Sequence, residues 1–275
     1  MKNILLAYDS SAGAEGALGD LTRAGLPADV SAVVLTVADI HLPEGGSPGP
    51  KAEDELQKAQ KRVEYAAGRL KGLEPKWEIE PVVAVGSPAR VIVEEARERG
   101  MDLLVMGASG HNALHRLFLG SVSAKVAAEA SCSVRLFRPH LEPGFQHLRI
   151  IIAVDGSAGA EAAVEAALSR SWPKGSGFHV VAVLDSRLES AAGGDPEQWA
   201  QDLTQRAAMR IRQAGYFAEP HVLRGDPKKL LVRHAEDWAA HTVFVGATGS
   251  EHTSRLGTVA AALVGRSHCS VEIVR

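Results

Sequence analysis

The chain has 275 residues and 45% apolar side chains, which is more than one average domain and enough for two cores. Against 33 Asp and Glu stand 30 Lys and Arg, a formal net charge of −3, so the broad basic field that attracts nucleic acid or an anionic membrane is excluded. Cys132 and Cys269 are too few for a disulfide framework or a cysteine metal site, and both are expected as small buried hydrophobes.

Met1 to Ala7 lacks the apolar run of a signal peptide, and no stretch approaches the roughly 18 apolar residues of a membrane span, so a cytoplasmic protein is expected. Short apolar runs then alternate with helical patterns. Ile4 to Ala7, Val33 to Val37, Val82 to Val85, Leu103 to Met106 and Val134 to Phe137 read as strands, some continuous enough to be buried on both faces, which suggests a parallel sheet. Between them, residues 12 to 24, 52 to 71, 88 to 99 and 120 to 130 are rich in Ala, Glu, Lys, Arg and Leu at helical spacing. The fold class implied is α/β, a doubly wound sheet. Ser10 or Ser11 is placed to cap the first helix, Ser87 precedes Pro88 at a helix start, and Glu15 and Glu161 favour positive helix ends. The segment Asp39 to Pro50 reads as a surface excursion, and Asp185 to Pro196 with Gly193-Gly194 as its counterpart.

The pattern occurs twice. Ile4-Leu5-Leu6-Ala7-Tyr8-Asp9-Ser10-Ser11-Ala12-Gly13-Ala14-Glu15 returns as Ile150-Ile151-Ile152-Ala153-Val154-Asp155-Gly156-Ser157-Ala158-Gly159-Ala160-Glu161. Val85-Gly86-Ser87-Pro88 matches Arg224-Gly225-Asp226-Pro227, and Ser131-Cys132-Ser133-Val134 matches His268-Cys269-Ser270-Val271. The stretch Arg138 to His147 has two prolines, a glycine and no period, as linkers do, which divides the chain into domains 1–138 and 148–275.

After the fourth strand comes Gly107-Ala108-Ser109-Gly110, then nine residues, then Gly120-Ser121-Val122-Ser123 opening a helix, the spacing G-x2-G-x9-G-[ST]. Glycines admit a ligand close to the backbone, and a helix N-terminus offers free amides to phosphate. No G-x4-G-K-[ST] occurs, nor G-x-G-x-x-G after the first strand of either copy, so the P-loop and dinucleotide fingerprints are missing. No zinc-ligand cluster is evident and no metal-ligating residue is assigned.

With this spacing and an Asp after the first strand, the chain resembles the universal stress protein family over nearly its whole length, twice, as the tandem ATP-binding type. The resemblance implies two five-stranded parallel sheets in the order 3-2-1-4-5. It also implies ATP in the crevice between strands one and four, where the chain order reverses. Because local amides offset the triphosphate charge only in part, Mg or Mn carried on it is the expected companion ion. Carried over, Ala7 and Asp9 contact adenosine, Val37 lies against adenine and Met106 beneath it, while Gly107, Gly110, Gly120, Ser121, Val122 and Ser123 hold phosphates. On the residues alone, Asp9 also suits a helix entry, and Val37 and Met106 also suit plain core. His111 and His115, in the loop over the phosphates, are expected to face solvent.

Copy two keeps Ala153, Asp155, Val183, Gly246, Gly249, Gly257, Thr258 and Val259, but only seven residues separate Gly249 from Gly257. The shorter loop, with Glu251 adding negative charge and Arg255 offsetting it, is expected to draw the helix start away from phosphate, and no hydroxyl stands where copy one has Ser123. Tighter binding in copy one follows as the expectation. Asp102 and Glu98 precede the fourth strand, opposite the nucleotide end, and Lys125 lies deep in its helix, so few groups suit phosphoryl transfer. A nucleotide-binding sensor with at most slow hydrolysis is expected, the alternatives being a slow ATPase or a nucleotide-independent scaffold. The last strands suggest pairing between the copies and a homodimer.

Overall fold

The computed structural model describes residues 2–40, 49–110, 119–139, 147–191, 194–249 and 256–275. Two compact units form, Met1–Phe137 and Arg138–Arg275. Unit 1 runs β1 (Asn3–Ala7), α1 (Ala12–Asp20), β2 (Ser31–Ala38), α2 (Pro50–Leu73), β3 (Glu78–Val85), α3 (Pro88–Glu98), β4 (Leu103–Gly107), α4 (Ser121–Glu129) and β5 (Ser133–Phe137). Unit 2 runs β6 (Arg149–Ala153), α5 (Ala158–Leu168), β7 (Gly177–Leu184), α6 (Ser186–Ala191), α7 (Pro196–Gln213), β8 (Phe217–Arg224), α8 (Pro227–Asp237), β9 (Thr242–Gly246), α9 (Thr258–Arg266) and β10 (Ser270–Val274).

All strands within a unit pair in parallel, in the order β3-β2-β1-β4-β5 in unit 1 and β8-β7-β6-β9-β10 in unit 2, which is the order the family resemblance implies. The register repeats as well. Asn3 pairs with Ser31 and Ser31 with Glu78, just as Arg149 pairs with Gly177 and Gly177 with Phe217. Every residue of β4 is buried, because helices cover both faces of the sheet and leave no strand position for a polar side chain facing water.

The helices are seated by the absence of side chains. A Cβ on Gly107 would lie 2.5 Å from the carbonyl carbon of Gly13 on α1, and one on Gly246 would lie 2.5 Å from that of Gly159 on α5. At these two crossings backbone lies against backbone, which only glycine permits. Ser11 and Ser157 cap the two helices, each accepting a hydrogen bond at 3.2 Å, from the Ala14 and Ala160 amides.

Two differences from the sequence-based expectation have plain causes. Strand β3 begins at Glu78 rather than near Val82, since Glu78-Ile79-Glu80-Pro81 alternates as a half-exposed strand does, and a proline is tolerated where one side has no strand partner. Within the second excursion, Ser186–Ala191 is helical, started by the Asp185 carboxylate, which accepts from the Leu188 amide at 3.1 Å. Residues 41–48 of the first excursion and 140–146 of the linker lie outside the described residues. Cys132 and Cys269 are both buried, and no helix among the described residues is long and apolar enough to cross a membrane.

Candidate functional site

At the carboxyl end of β1 the chain turns through Ser10 in the left-handed region, φ 65°, before entering α1, and in unit 2 Gly156 takes that place with φ 77°. This turn and the end of the fourth strand enclose a cleft in each unit, of about 330 Å³ in unit 1 and about 280 Å³ in unit 2. Ala7, Asp9, Val37, Met106, Gly107, Gly110, Gly120, Ser121, Val122 and Ser123 all line the first. Ala153, Asp155, Val183, Gly246, Gly249, Gly257, Thr258 and Val259 all line the second. The clefts thus sit at the switch point of each sheet, where neighbouring crossovers leave in opposite directions and a crevice must open.

The amides presented to the cleft come from α4 and α9. Both helices start on a glycine, Gly120 and Gly257, with no side chain capping the first turn, in contrast to the serine-capped α1 and α5. An uncapped N-terminus keeps donors and the positive end of the helix dipole available to an anion. Each helix start is fixed by its own backbone, Gly120 N–H donating to Ala108 O at 2.9 Å and Gly257 N–H to Ala247 O at 2.7 Å. This corrects the expectation drawn from loop length, because the shorter segment of unit 2 does not displace the helix start from the strand end. Residues 250–255, like His111 and His115, lie outside the described residues.

The glycines separate by cause. Gly107 is required by the approach of Gly13, and a Cβ on Gly110 would lie 3.2 Å from Asp9 Oδ2, so that glycine makes room for the carboxylate. A Cβ on Gly120, by contrast, would meet nothing nearer than 3.6 Å. Nothing in unit 1 demands glycine there, and the bare position leaves cleft volume free. Ser123 differs from expectation too: its buried hydroxyl donates to Gly107 O at 2.9 Å, tying α4 to the end of β4.

Asp9 and Asp155 each organise the turn after the first strand. Asp9 Oδ1 accepts from Ser11 N–H at 2.9 Å, and Asp155 Oδ1 accepts from Ser157 N–H at 3.0 Å and from the Ser157 hydroxyl at 2.5 Å. Sequence reasoning missed Tyr8, which lines the first cleft while its hydroxyl is bonded to Glu15. Burial, then that carboxylate, pushes the Tyr8 phenol well above its ordinary range. It also missed Trp199 on α7, which lines the second cleft and covers Gly156, where a Cβ would lie 2.8 Å from the indole. The buried rows Ala59, Val63, Ala66, Leu70 and Ala200, Thr204, Ala207, Ile211 correspond between the two copies and make Trp199 the equivalent of Lys58, an exposed residue paired with Asp54 at 2.6 Å.

A further departure lies beside the second cleft. No metal-ligand cluster was expected, yet β7, β8 and α8 bring His179, His221 and His234 together, one ring nitrogen of each lying within 4.8 Å of the others. The residues are far apart in the chain, so their spacing carries no local signal. Burial, then His221 and His234, pushes His179 down to about 3, and burial lowers His234 as well, so both stay uncharged at neutral pH.

A doubly wound parallel sheet with a cleft at its switch point and a glycine-started helix beside it, present twice, defines the class of α/β module to which each unit belongs. A model of the universal stress protein family matches residues 1–138 and again 147–275, and the chain belongs to that family, in its tandem form. A universal stress protein of Thermus aquaticus is 36% identical over 138 residues, covering 50% of this chain and 98% of that one. One from Synechocystis is 33% identical over 135 residues, 49% of this chain and 42% of the other. The crystal structure of a universal stress protein from Archaeoglobus fulgidus superposes with a TM-score of 0.73 at 21% identity, covering 99% of this chain and 96% of that one, a likeness of fold.

Proposed function

We propose that the protein binds ATP, in unit 1 more tightly than in unit 2, and works in the cytoplasm as a stress-response sensor whose state is nucleotide occupancy. What carries the reading is the cleft of unit 1, which gathers an Asp, apolar walls from Val37 and Met106, and the uncapped amides of α4 around one volume. Adenosine lies at the Ala7 and Val37 end, and the triphosphate at Gly110, Gly120, Ser121 and Val122. A Mg or Mn ion travels on the triphosphate, since amides alone offset its charge only in part. In unit 2, Trp199 lines the cleft, which at about 280 Å³ is smaller than the one of about 330 Å³ in unit 1.

Calorimetric titration of the whole chain with ATP tests this. One tight and one weaker or absent site is the expected result, and two equal sites per chain, or none, overturn it. The described lining offers amides, hydroxyls and a carboxylate, which suits holding a nucleotide, so ADP release is expected to be slow at most. Sustained turnover that disappears with Gly120→Val would make the protein an ATPase instead. The homodimer belongs to the same reading, and sedimentation giving the mass of a single chain would remove it.

A further inference from the structure

We infer that unit 2 carries a site for one zinc-class divalent transition-metal ion, held by the imidazoles of His179, His221 and His234. Nδ1 of His179 lies 3.0 Å from Nε2 of His234. Zn–N bonds of about 2.0–2.1 Å set tetrahedral donors roughly 3.3 Å apart, so this pair is spaced as two ligands of one ion. Nε2 of His221 is closed off from solvent and makes no hydrogen bond, the nearest carboxylate oxygen, Glu219 Oε2, standing 3.5 Å away. A buried, unbonded ring nitrogen costs free energy unless something else occupies its lone pair, and an ion shared with the other two rings does so. The donor atoms of all three rings lie within 4.8 Å of one another.

The surroundings have the form of a ligand shell. With Nδ1 on the ion, Nε2 of His179 is left to donate to Glu219, whose Oε2 lies 3.3 Å away, the carboxylate–histidine–metal arrangement that fixes tautomer and ring orientation. Trp238 stacks on His179, with centroids 3.4 Å apart and planes at 12°, and holds the ring from the other side. Three imidazole donors suit Zn, Cu, Ni or Co rather than Mg or Ca, and they leave a fourth position for water.

Unit 1 shows what the same framework does without an ion. The shared register puts Val33 opposite Glu80 where His179 is opposite Glu219, and Val82 where His221 stands. On the helix, Glu95 and the capping residue Arg99 stand where unit 2 has His234 and Trp238. There Arg99 supplies the cation itself, 2.9 Å from Glu80 and 2.7 Å from Glu95. Unit 2 keeps the carboxylate Glu219, replaces the arginine with Trp238, and surrounds the vacated charge with imidazoles. The site is separate from the cleft, although α8 supplies Leu231 to the cleft and His234 one turn later to the imidazoles.

The test uses the whole chain, stripped with chelator and free of nucleotide, titrated with Zn2+ and then with Co2+. Expected are one bound ion per chain and the visible d–d bands of tetrahedral, nitrogen-ligated cobalt. His221→Val and His234→Glu install the residues of unit 1, and each should lower affinity by about 100-fold or more, with Glu219→Gln lowering it roughly 10- to 100-fold and His268→Ala leaving it unchanged. Circular dichroism of the metal-free variants establishes that they fold. His234 is only half-buried on its helix, so His234→Glu remains informative if His221→Val does not fold. No stoichiometric uptake without nucleotide, or uptake undiminished in the folded variants, overturns the inference.

Discussion

At the same register position of the second strand, unit 1 has Val33 and unit 2 has His179, while at the same position of the last strand unit 1 has Arg135 and unit 2 has Glu272. The strand residues therefore differ in polarity at one point and in sign at another. Both units nevertheless bury an ion pair there, Arg135 with Asp20 at 2.6 Å and Glu272 with Arg170. What the duplicated framework dictates is that a charge at this position has a partner at or just past the end of the first helix of its unit, not which sign stands on the strand. A buried charge is tolerable only when compensated, and either order of compensation serves.

The largest expected effect comes from breaking that compensation on one side. Glu272→Gln removes the charge that Arg170 pairs with in the buried interior and should cost about 3–5 kcal/mol in denaturant unfolding of the whole chain, with Arg135→Met giving a comparable loss. A loss under about 1 kcal/mol would show that the pairs are structurally idle. Next is Gly120→Val, which fills the free volume at the start of α4. ATP affinity should drop by about 100-fold, roughly 2.7 kcal/mol, with stability nearly unchanged. An equal drop from Gly257→Val would erase the functional distinction between units.

The third prediction concerns acid. His179 titrates near 3 in the folded chain, below the ordinary value of 6.5, so the unfolded chain takes up its proton first. This stability is complete above about pH 6.5 and is lost as pH falls toward 3, amounting to roughly 1–2 kcal/mol by pH 5. Metal-free His179→Val should show a shallower loss between pH 7 and 5, and an unchanged slope would contradict the assignment. Smallest is Ser123→Ala, which gives unit 1 the residue unit 2 has as Ala260. It removes the bond to Gly107 O and should cost about 1 kcal/mol in thermal unfolding.

Much of this was legible in the sequence because the signals are local. Short apolar runs reveal strands covered on both faces, and a glycine spacing marks the approach to a helix start, so the cleft positions named from the motif all fall on the clefts. The three histidines were not legible, because they sit on β7, β8 and α8 and only the register joins them. Trp199 and Lys58 occupy one helical position with opposite chemistries, which a repeat search scores as mere divergence. Loop length does not fix where a helix starts, because Gly257 is anchored by Ala247 whatever the length of the segment before it. The resemblance carries Ser123 over as a phosphate contact, and nothing in the sequence shows that its hydroxyl donates to Gly107 O.

The crossing of Gly13 and Gly107, repeated by Gly159 and Gly246, bears on how such a gene ages. After duplication each half can change its charges, its loops and even the chemistry beside its cleft, and these halves have done all three. At the crossing neither partner can acquire a side chain, and a change in one cannot be rescued by shrinking the other, which has nothing left to remove. Mutation there meets a dead end rather than a detour, so the two glycine pairs act as fixed datum points from which the drift of the two halves can be measured.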